Sequence, residues 1–252
     1  MAKLWIMSDL HLETVPYPEA FKPVRPDFDV LVAAGDIWEG NVLLGFQLLL
    51  RIAGGKPVVF AMGNHEHWDG ILSEDLRTAK AVARKHRVTL LDGNAATIAG
   101  CRFVGATLWS DYSLAGDVDP RSETGEKIDI VHDGQRRRIT VADVCKLHSQ
   151  AHDQLWSLTA EASPLPVVVV THHAPHPDCV PPAHCNSWAA GNSASDLTAL
   201  IDSGRVTLWV HGHLHHSIDM VRPNGTRILC NPAGPWFSNT AFSESLVVEL
   251  PT

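Results

Sequence analysis

The chain has 252 residues, of which 45% are hydrophobic and 19% are charged, so it is long enough to bury a core and too apolar to be disordered. No apolar run approaches the roughly 18–20 residues that cross a bilayer, so we expect no membrane partner. The formal net charge of −8 argues against a broad basic surface for nucleic acid, although the basic residues 136–138 leave a local patch open.

The cysteines and the N-terminus favour a reducing compartment. The five cysteines are odd in number and show no CxxC spacing, and the first residues contain no secretory segment. We therefore predict a cytoplasmic protein with incidental thiols, while a pairing of Cys179 with Cys185 stays open.

In chain order, short apolar runs rich in Val, Ile and Leu predict buried strands at residues 4–7, 30–33, 58–61, 167–171 and 206–210. Helical patterns between them lie at residues 42–52, 71–85, 141–158 and 195–201. Shorter strands are predicted at 88–91, 97–98, 102–105, 218–221, 227–229 and 246–250. This mixture of crossover units and meanders predicts an α/β fold, with a two-sheet core flanked by helices.

Two long segments interrupt this pattern of strands and helices. The sequence shows no linker or repeat that would divide the chain into domains. Residues 110–140 are polar and irregular, and residues 173–193 are rich in Pro, His and Asn. Segments this long often serve as lids or binding loops, whereas the alternative is a surface insertion. We therefore predict one domain over residues 1–252 with an insertion at about 110–140 that is a candidate lid.

Polar side chains follow each of the five main predicted strands. They are Asp9 and His11, then Asp36, then Asn64 and His65, then His172, and finally the histidines of LWVHGHLHH. Ligands in α/β folds collect at the carboxyl ends of strands, so these groups are expected to converge. In an extended segment residues i and i+2 point the same way, which allows Asp9 and His11 to face one metal. The same rule allows either His211 with His213 or His213 with His215.

The mixture of carboxylate, imidazole and carboxamide groups suits borderline divalent ions, namely Mn, Fe, Zn, Co or Ni, rather than calcium or a thiolate zinc site. Gly35 and Gly63 precede candidate ligands, where the backbone must turn near a crowded centre. Each short motif alone is more typical of a turn or a cap. Five of them, each after a predicted buried strand, indicate a metal site with room for two ions.

The order D9-x-H11, G35-D36, G63-N64-H65-E66, His172 in VVTHHAP, and G212-H213-L214-H215 resembles the signature of the calcineurin-like metallophosphoesterase superfamily, in its bacterial form. The resemblance implies a four-layer αββα sandwich with a dinuclear metal site at the strand ends. It assigns one ion to Asp9, His11, Asp36 and His215. It assigns the other to Asp36, Asn64, His172 and His213, with Asp36 bridging. The GHxH pattern thus selects His215 and leaves His211 and His216 as supporting or surface residues.

The resemblance also implies the chemistry. A metal-bridging hydroxide attacks phosphorus in line, and His65 assists the phosphoryl or leaving oxygen. Apart from the resemblance, Glu39 is a candidate to orient the His65 ring because it stands three residues after Asp36, and a solvated glutamate is the alternative. The expected substrate is a small or medium phosphorylated molecule, and a phosphodiesterase is our first prediction. Phosphomonoesterase or nuclease activity on the same centre and a non-catalytic scaffold are the alternatives. The sequence predicts no oligomeric state.

Overall fold

A computed structural model describes residues 1–185 and 187–252 of the chain. Its strands are β1 (Ala2–Met7), β2 (Val30–Ala34), β3 (Val58–Ala61), β4 (Val88–Leu91), β5 (Asn94–Ile98), β6 (Cys101–Ala106), β7 (Asp129–His132), β8 (Gln135–Arg138), β9 (Val167–Thr171), β10 (Leu208–His211), β11 (Ile218–Val221), β12 (Arg227–Cys230) and β13 (Val247–Leu250). Its α-helices are α1 (Val42–Ala53), α2 (Leu72–His86), α3 (Val141–Ala160), α4 (Trp188–Ser193) and α5 (Thr198–Ile201).

Most strands belong to two large mixed sheets. The first has the order β13-β1-β2-β3-β4, in which β1 to β4 are parallel and β13 is an antiparallel edge. The second has the order β11-β12-β10-β9-β6-β5, with a parallel centre and antiparallel strands at both edges. The parallel centres explain why the strands read as continuous apolar runs, because both of their faces are covered.

The alternation of side chains along each strand produces the layers. In β1, Leu4 and Ile6 pack between the two sheets with residues such as Val168 of β9. Trp5 points to the opposite face, into the apolar cluster that includes Phe46 of α1. The outer face of the second sheet is covered in the same way by α3, α4 and α5. The predicted four-layer αββα sandwich is therefore confirmed.

The predicted helix at residues 195–201 is shorter than expected and begins at Thr198. The buried Ser195 forms hydrogen bonds through its hydroxyl with the backbone and carboxylate of Asp111, both at 3.0 Å. These contacts, and the isolated bridge between Ala174 and Ala194, hold this part of the chain extended. A tertiary contact therefore prevails over the local helical pattern.

The segment at residues 110–140 is more ordered than the sequence predicted. It contains the antiparallel hairpin of β7 and β8, and its buried residues Tyr112, Ile128 and Ile139 contribute to a separate apolar cluster. The prediction of a wholly irregular insertion was wrong because a few well-spaced apolar residues anchor an otherwise polar stretch. The same holds for residues 173–193, which contain α4. A lid role stays a prediction.

The parallel strands of both sheets end at one side of the sandwich, where their loops meet. His172, directly after β9, lies with Nδ1 2.8 Å from the carbonyl oxygen of Ala34 at the end of β2, and its own carbonyl accepts from the Gly212 amide. Across the described residues, every helix is too short or too polar to span a bilayer.

Candidate metal centre

Two groups of ligand atoms that share Asp36 lie where the loops of the two sheets meet. In the first group, one atom from each residue lies within 4.8 Å of the others, and the members are Asp9, His11, Asp36 and His215. Nε2 of His11 is 3.1 Å from Nε2 of His215 and 3.6 Å from Oδ2 of Asp36. The loops after β1, β2 and β10 thus contribute to one site.

The second group contains Asp36, His172 and His213 under the same 4.8 Å criterion. Nε2 of His172 is 3.2 Å from Oδ2 of Asp36. Oδ1 of Asn64 lies 3.0 Å from Nε2 of His172 and 3.1 Å from Nδ1 of His213, so the carboxamide oxygen joins the group. Asp36 belongs to both groups and lies between them.

The hydrogen bonds at the outer ring nitrogens leave the inner nitrogens available as ligands. Nδ1 of His172 donates to the carbonyl of Ala34, and Nδ1 of His11 is 3.0 Å from the carboxylate of Glu13. In the neutral ring, each arrangement leaves an Nε2 lone pair directed at the centre, which is the usual support for a metal-binding histidine. The Glu13 contact was missed from sequence, although Glu13 stands only two residues after His11.

The crowding of these atoms fits bound cations. Oδ2 of the fully buried Asp9 has no hydrogen-bond partner among the described residues. Buried carboxylate oxygens are normally satisfied, so an unpaired one on a residue of the first group fits a bound cation. The donor set of carboxylates, imidazoles and one carboxamide suits borderline divalent metals. The residues present therefore fit two ions.

Electrostatics within the cluster point the same way. Burial opposes ionisation of Asp36, yet His172 and His65 outweigh it and hold the pKa of Asp36 well below its usual range. Burial would lower the pKa of His172, but the Asp36 and Asp9 carboxylates raise it to about 10. Burial, joined by repulsion from His172, lowers the pKa of His213 to about 3. Cations would take the place of the protons that the carboxylates now attract.

The backbone at five of the seven candidate ligands is left-handed rather than extended. Positive φ angles occur at Asp9 (49°), His11 (40°), Asp36 (54°), His213 (71°) and His215 (48°). The sequence argument that residues i and i+2 share one face of an extended segment was therefore wrong in its reason, although the side chains do converge. Left-handed conformations cost non-glycine residues about 1–3 kcal/mol each and cluster at functional sites.

Three glycines allow this close approach. A Cβ atom at Gly35, whose φ is 87°, would lie 2.3 Å from Nδ1 of His172. At Gly63 it would lie 2.0 Å from Oδ1 of Asp36, and at Gly212 it would lie 2.5 Å from Oδ2 of Asp9. Of these three glycines, only Gly35 has a positive φ angle. At Gly63 and Gly212, glycine is required because a carboxylate occupies the space that a side chain would fill.

His65 borders the centre without joining either group around Asp36. Its Nε2 is 4.0 Å from Oδ2 of Asp36, and its Nδ1 is 3.4 Å from Oε2 of Glu39, a contact that does not meet hydrogen-bond geometry. The ring stacks on Trp68, with the centroids 3.5 Å apart and the planes at 27°. The side chain is 18% exposed, so a substrate can reach it.

The remaining histidines of LWVHGHLHH lie outside both groups. His211 is the last residue of β10 and is fully buried, and burial lowers its pKa to about 4. His216 is exposed. His173 stacks on His213 with centroids 4.2 Å apart and so packs behind that ligand candidate.

Two mixed sheets that carry a buried, carboxylate-sharing His and Asp cluster at their common edge define a dimetal hydrolase. The chain matches the calcineurin-like phosphoesterases over residues 2–217 and belongs to that family. It is accordingly a metal-dependent hydrolase of phosphoesters, which confirms the predicted family and enzyme class.

Solved structures show the same fold. Phosphopantetheinyl hydrolase from Mycobacterium tuberculosis is similar, with a TM-score of 0.74, 18% identity, and coverage of 98% of this chain and 95% of that chain. A dimetal phosphatase from Danio rerio is also similar, with a TM-score of 0.50, 14% identity, and coverage of 91% and 86%. Among curated proteins, none matches this chain in sequence. At these identities the likeness concerns the fold.

Proposed function

We propose that the enzyme hydrolyses a phosphodiester of a small or medium molecule, with His65 as the general acid. One ion would be held by Asp9, His11, Asp36 and His215. The other would be held by Asp36, Asn64, His172 and His213. The observation that carries this proposal is the place of Asp36 in both groups. When bound, the ions would supply Lewis acidity toward phosphoryl oxygens and lower the pKa of water, and Mn, Fe, Zn, Co and Ni all suit the donor set.

His65 is the group placed to donate a proton. Its Nδ1 faces Glu39, so its Nε2 is the nitrogen directed toward the space beside Asp36. The stack on Trp68 restricts rotation of the ring. A proton delivered from Nε2 to the phosphoryl or leaving oxygen would assist in-line displacement, and acid assistance of this kind contributes about 10²–10⁴-fold.

A cavity beside His213 and His215 is our candidate site for the group esterified to phosphorus. Its volume is about 450 Å³, and its other lining residues are Val180, Pro181, His184, Ala189, Ser193, Leu214 and His216. The described lining contains no Lys or Arg, so an uncharged, partly apolar group suits it better than a second phosphate. A phosphopantetheinyl ester belongs among the test substrates, because a similar structure is named as a phosphopantetheinyl hydrolase.

The alternatives have weaker support. The basic residues Arg136, Arg137 and Arg138 are paired with Asp129 or Asp143, so their charge is largely compensated and a nuclease surface there is disfavoured. A scaffold would be expected to lack ligand positions or His65, and both are present.

The free state of all five cysteines fits the cytoplasmic location that we propose.

The test joins elemental analysis to turnover of bis-p-nitrophenyl phosphate, p-nitrophenyl phosphate and a phosphopantetheinyl ester with added Mn²⁺. We expect two ions per chain and a preference for the diester. His65→Gln should keep both ions and lose about 10²–10⁴-fold in turnover, while His132→Gln, at a side chain 64% exposed on the β7–β8 hairpin, should be neutral. A preference for the monoester would assign the alternative phosphomonoesterase. Absence of both metal and turnover would assign the scaffold.

A further inference from the structure

A buried carboxylate from the segment at residues 110–140 reaches the metal centre. Glu126 is 7% exposed, although its neighbours Gly125 and Lys127 are exposed. Its Oε2 accepts a hydrogen bond of 2.9 Å from Nδ2 of Asn64 and one of 2.8 Å from Nε1 of Trp68. One oxygen thus contacts both a candidate ligand and the ring beneath His65.

The contact with Asn64 decides which end of the carboxamide faces the centre. The two ends of an Asn side chain are nearly equal in shape, but only the oxygen can bind a cation. A carboxylate only accepts hydrogen bonds, so Glu126 selects the orientation in which Nδ2 points away from the centre. Oδ1 then faces Nε2 of His172 and Nδ1 of His213 at 3.0 and 3.1 Å.

The contact with Trp68 fixes the ring on which His65 stacks. Glu126 holds the indole by its N–H edge, and the ammonium of Lys127 lies 4.5 Å from the centroid of a Trp68 ring. His65 covers the indole with a centroid distance of 3.5 Å. Two consecutive residues of the segment therefore hold Trp68 in place.

The segment is itself anchored around Glu126. The backbone amide of Glu126 donates to the hydroxyl of Thr124 at 3.1 Å, and the carbonyl of Lys127 accepts from the amide of Asp69 at 2.7 Å. The next residue, Ile128, is fully buried in the apolar cluster beside the site. At this position the segment is a fixed wall of the centre.

We infer that Glu126 is a positioning residue that orients Asn64 toward the second ion and holds Trp68 beneath His65. The inference rests on the proposed two-ion centre. Supporting partners of ligands typically contribute about 10–100-fold in metal affinity. Loss of the carboxylate should therefore weaken the binding of the second ion. The affinity for the other ion should not change, because Glu126 does not touch the residues that would hold it.

The experiment measures Mn²⁺ binding to the metal-free enzyme by titration calorimetry. Glu126→Ala should weaken one of two sites by about 10–100-fold. Glu126→Gln should recover much of that loss because its carboxamide oxygen can accept both hydrogen bonds. Glu123→Ala, at an exposed carboxylate of the same segment, is the matched control. In an Asn64→Ala background, Glu126→Ala should add no further loss for that ion.

Each outcome separates the two ideas. A wild-type enzyme that binds fewer than two ions contradicts the proposed centre itself. A wild-type enzyme with two ions and a Glu126→Ala variant of unchanged affinity contradicts the positioning role alone. Should the alanine variant fail to unfold cooperatively in urea, Glu126→Asp replaces it. This variant keeps the charge but withdraws the carboxylate by one methylene, and unchanged Mn²⁺ affinity in it also overturns the inference.

Discussion

Glu66 accepts a hydrogen bond of 2.9 Å from the backbone amide of Asp36 through its buried carboxylate. The same oxygen accepts from the amide of Gly63 and the other from the amide of Ile37, both at 2.6 Å. Glu66 therefore ties the loop after β2 to the loop after β3 and sets the spacing of the candidate ligands on them. Burial and the charge of Asp36 raise the pKa of Glu66 to about 7, against the effect of these hydrogen bonds.

Glu66→Gln should destabilise the metal-free protein by about 1–3 kcal/mol. Glutamine has one acceptor oxygen, so its NH₂ group would face a backbone N–H and leave that donor unsatisfied. Urea denaturation at neutral pH measures the change in the free energy of unfolding. Glu74→Gln, at an exposed position in the first turn of α2, is the control and should change little. An equal loss of unfolding free energy in Glu66→Gln and Glu74→Gln would refute the claim that Glu66 links the two loops.

Gly63→Ala should disturb the centre more than its size suggests. The added methyl would lie 2.0 Å from Oδ1 of Asp36 and 2.8 Å from its backbone nitrogen, so Asp36 or its loop must move. We expect Mn²⁺ affinity to fall by about 10–100-fold and overpacking to cost about 1–3 kcal/mol of stability.

Gly45→Ala is the matched control for this substitution. Gly45 lies inside α1, and its added Cβ would meet Ile37 at an ordinary 3.7 Å. Because alanine favours a helix interior, this variant should gain about 0.5–1 kcal/mol and keep its metal affinity. Calorimetry and urea denaturation measure both quantities. Wild-type metal affinity in Gly63→Ala would show that the close approach has no functional meaning.

The sequence predicted the parts of the fold that depend on local pattern. The strands Val58–Ala61 and Val167–Thr171 have the predicted bounds, because short runs rich in valine and without charged residues indicate strands buried on both faces. The polar groups at the strand ends were also found, since parallel strands bring their carboxyl ends to one edge. The family resemblance added the four-layer αββα order to the two-sheet core that the strand pattern had predicted.

The missed features depend on contacts between residues far apart in the chain. Glu126 meets Asn64 across 62 positions, and no local pattern marks it within a polar segment. The left-handed backbone at Asp9 and His215 was equally hidden, because it results from the crowding of loops and not from a turn sequence. Glu66 had a signal in GNHE, but its partners are backbone amides that the sequence does not reveal.

His215→Ala should empty one of the two metal positions, whereas His216→Ala should keep both. Nε2 of His215 lies 3.5 Å from Oδ1 of Asp9 and 3.1 Å from Nε2 of His11, while His216 is exposed. Elemental analysis after gel filtration should give about one ion per chain in the first variant and about two in the second. The reverse result would exchange the assigned roles of the neighbouring histidines.

Asp143 links the stability of α3 to pH. Its carboxylate accepts two hydrogen bonds from the guanidinium of Arg137, at 2.6 and 2.9 Å, and two from Thr140, at 2.7 and 2.9 Å. Burial works against the charge, but these bonds outweigh it and lower the pKa of Asp143 from 3.8 to about 2. A lowered pKa in the folded state means that the stabilisation is present above about pH 4 and is lost as the pH falls through 2.

Asp143→Asn should therefore lose about 1 kcal/mol of unfolding free energy at pH 7, a modest value because the pair with Arg137 is partly solvated. The difference from wild type should narrow at pH 3, where the unfolded wild-type carboxyl is mostly protonated. Urea denaturation at the two pH values measures both differences. Asp153→Asn removes a carboxylate of the same helix that is 77% exposed, and it should show no such dependence. If the difference in unfolding free energy between wild type and Asp143→Asn stays constant with pH, the packing of the side chain and not its charge stabilises the protein.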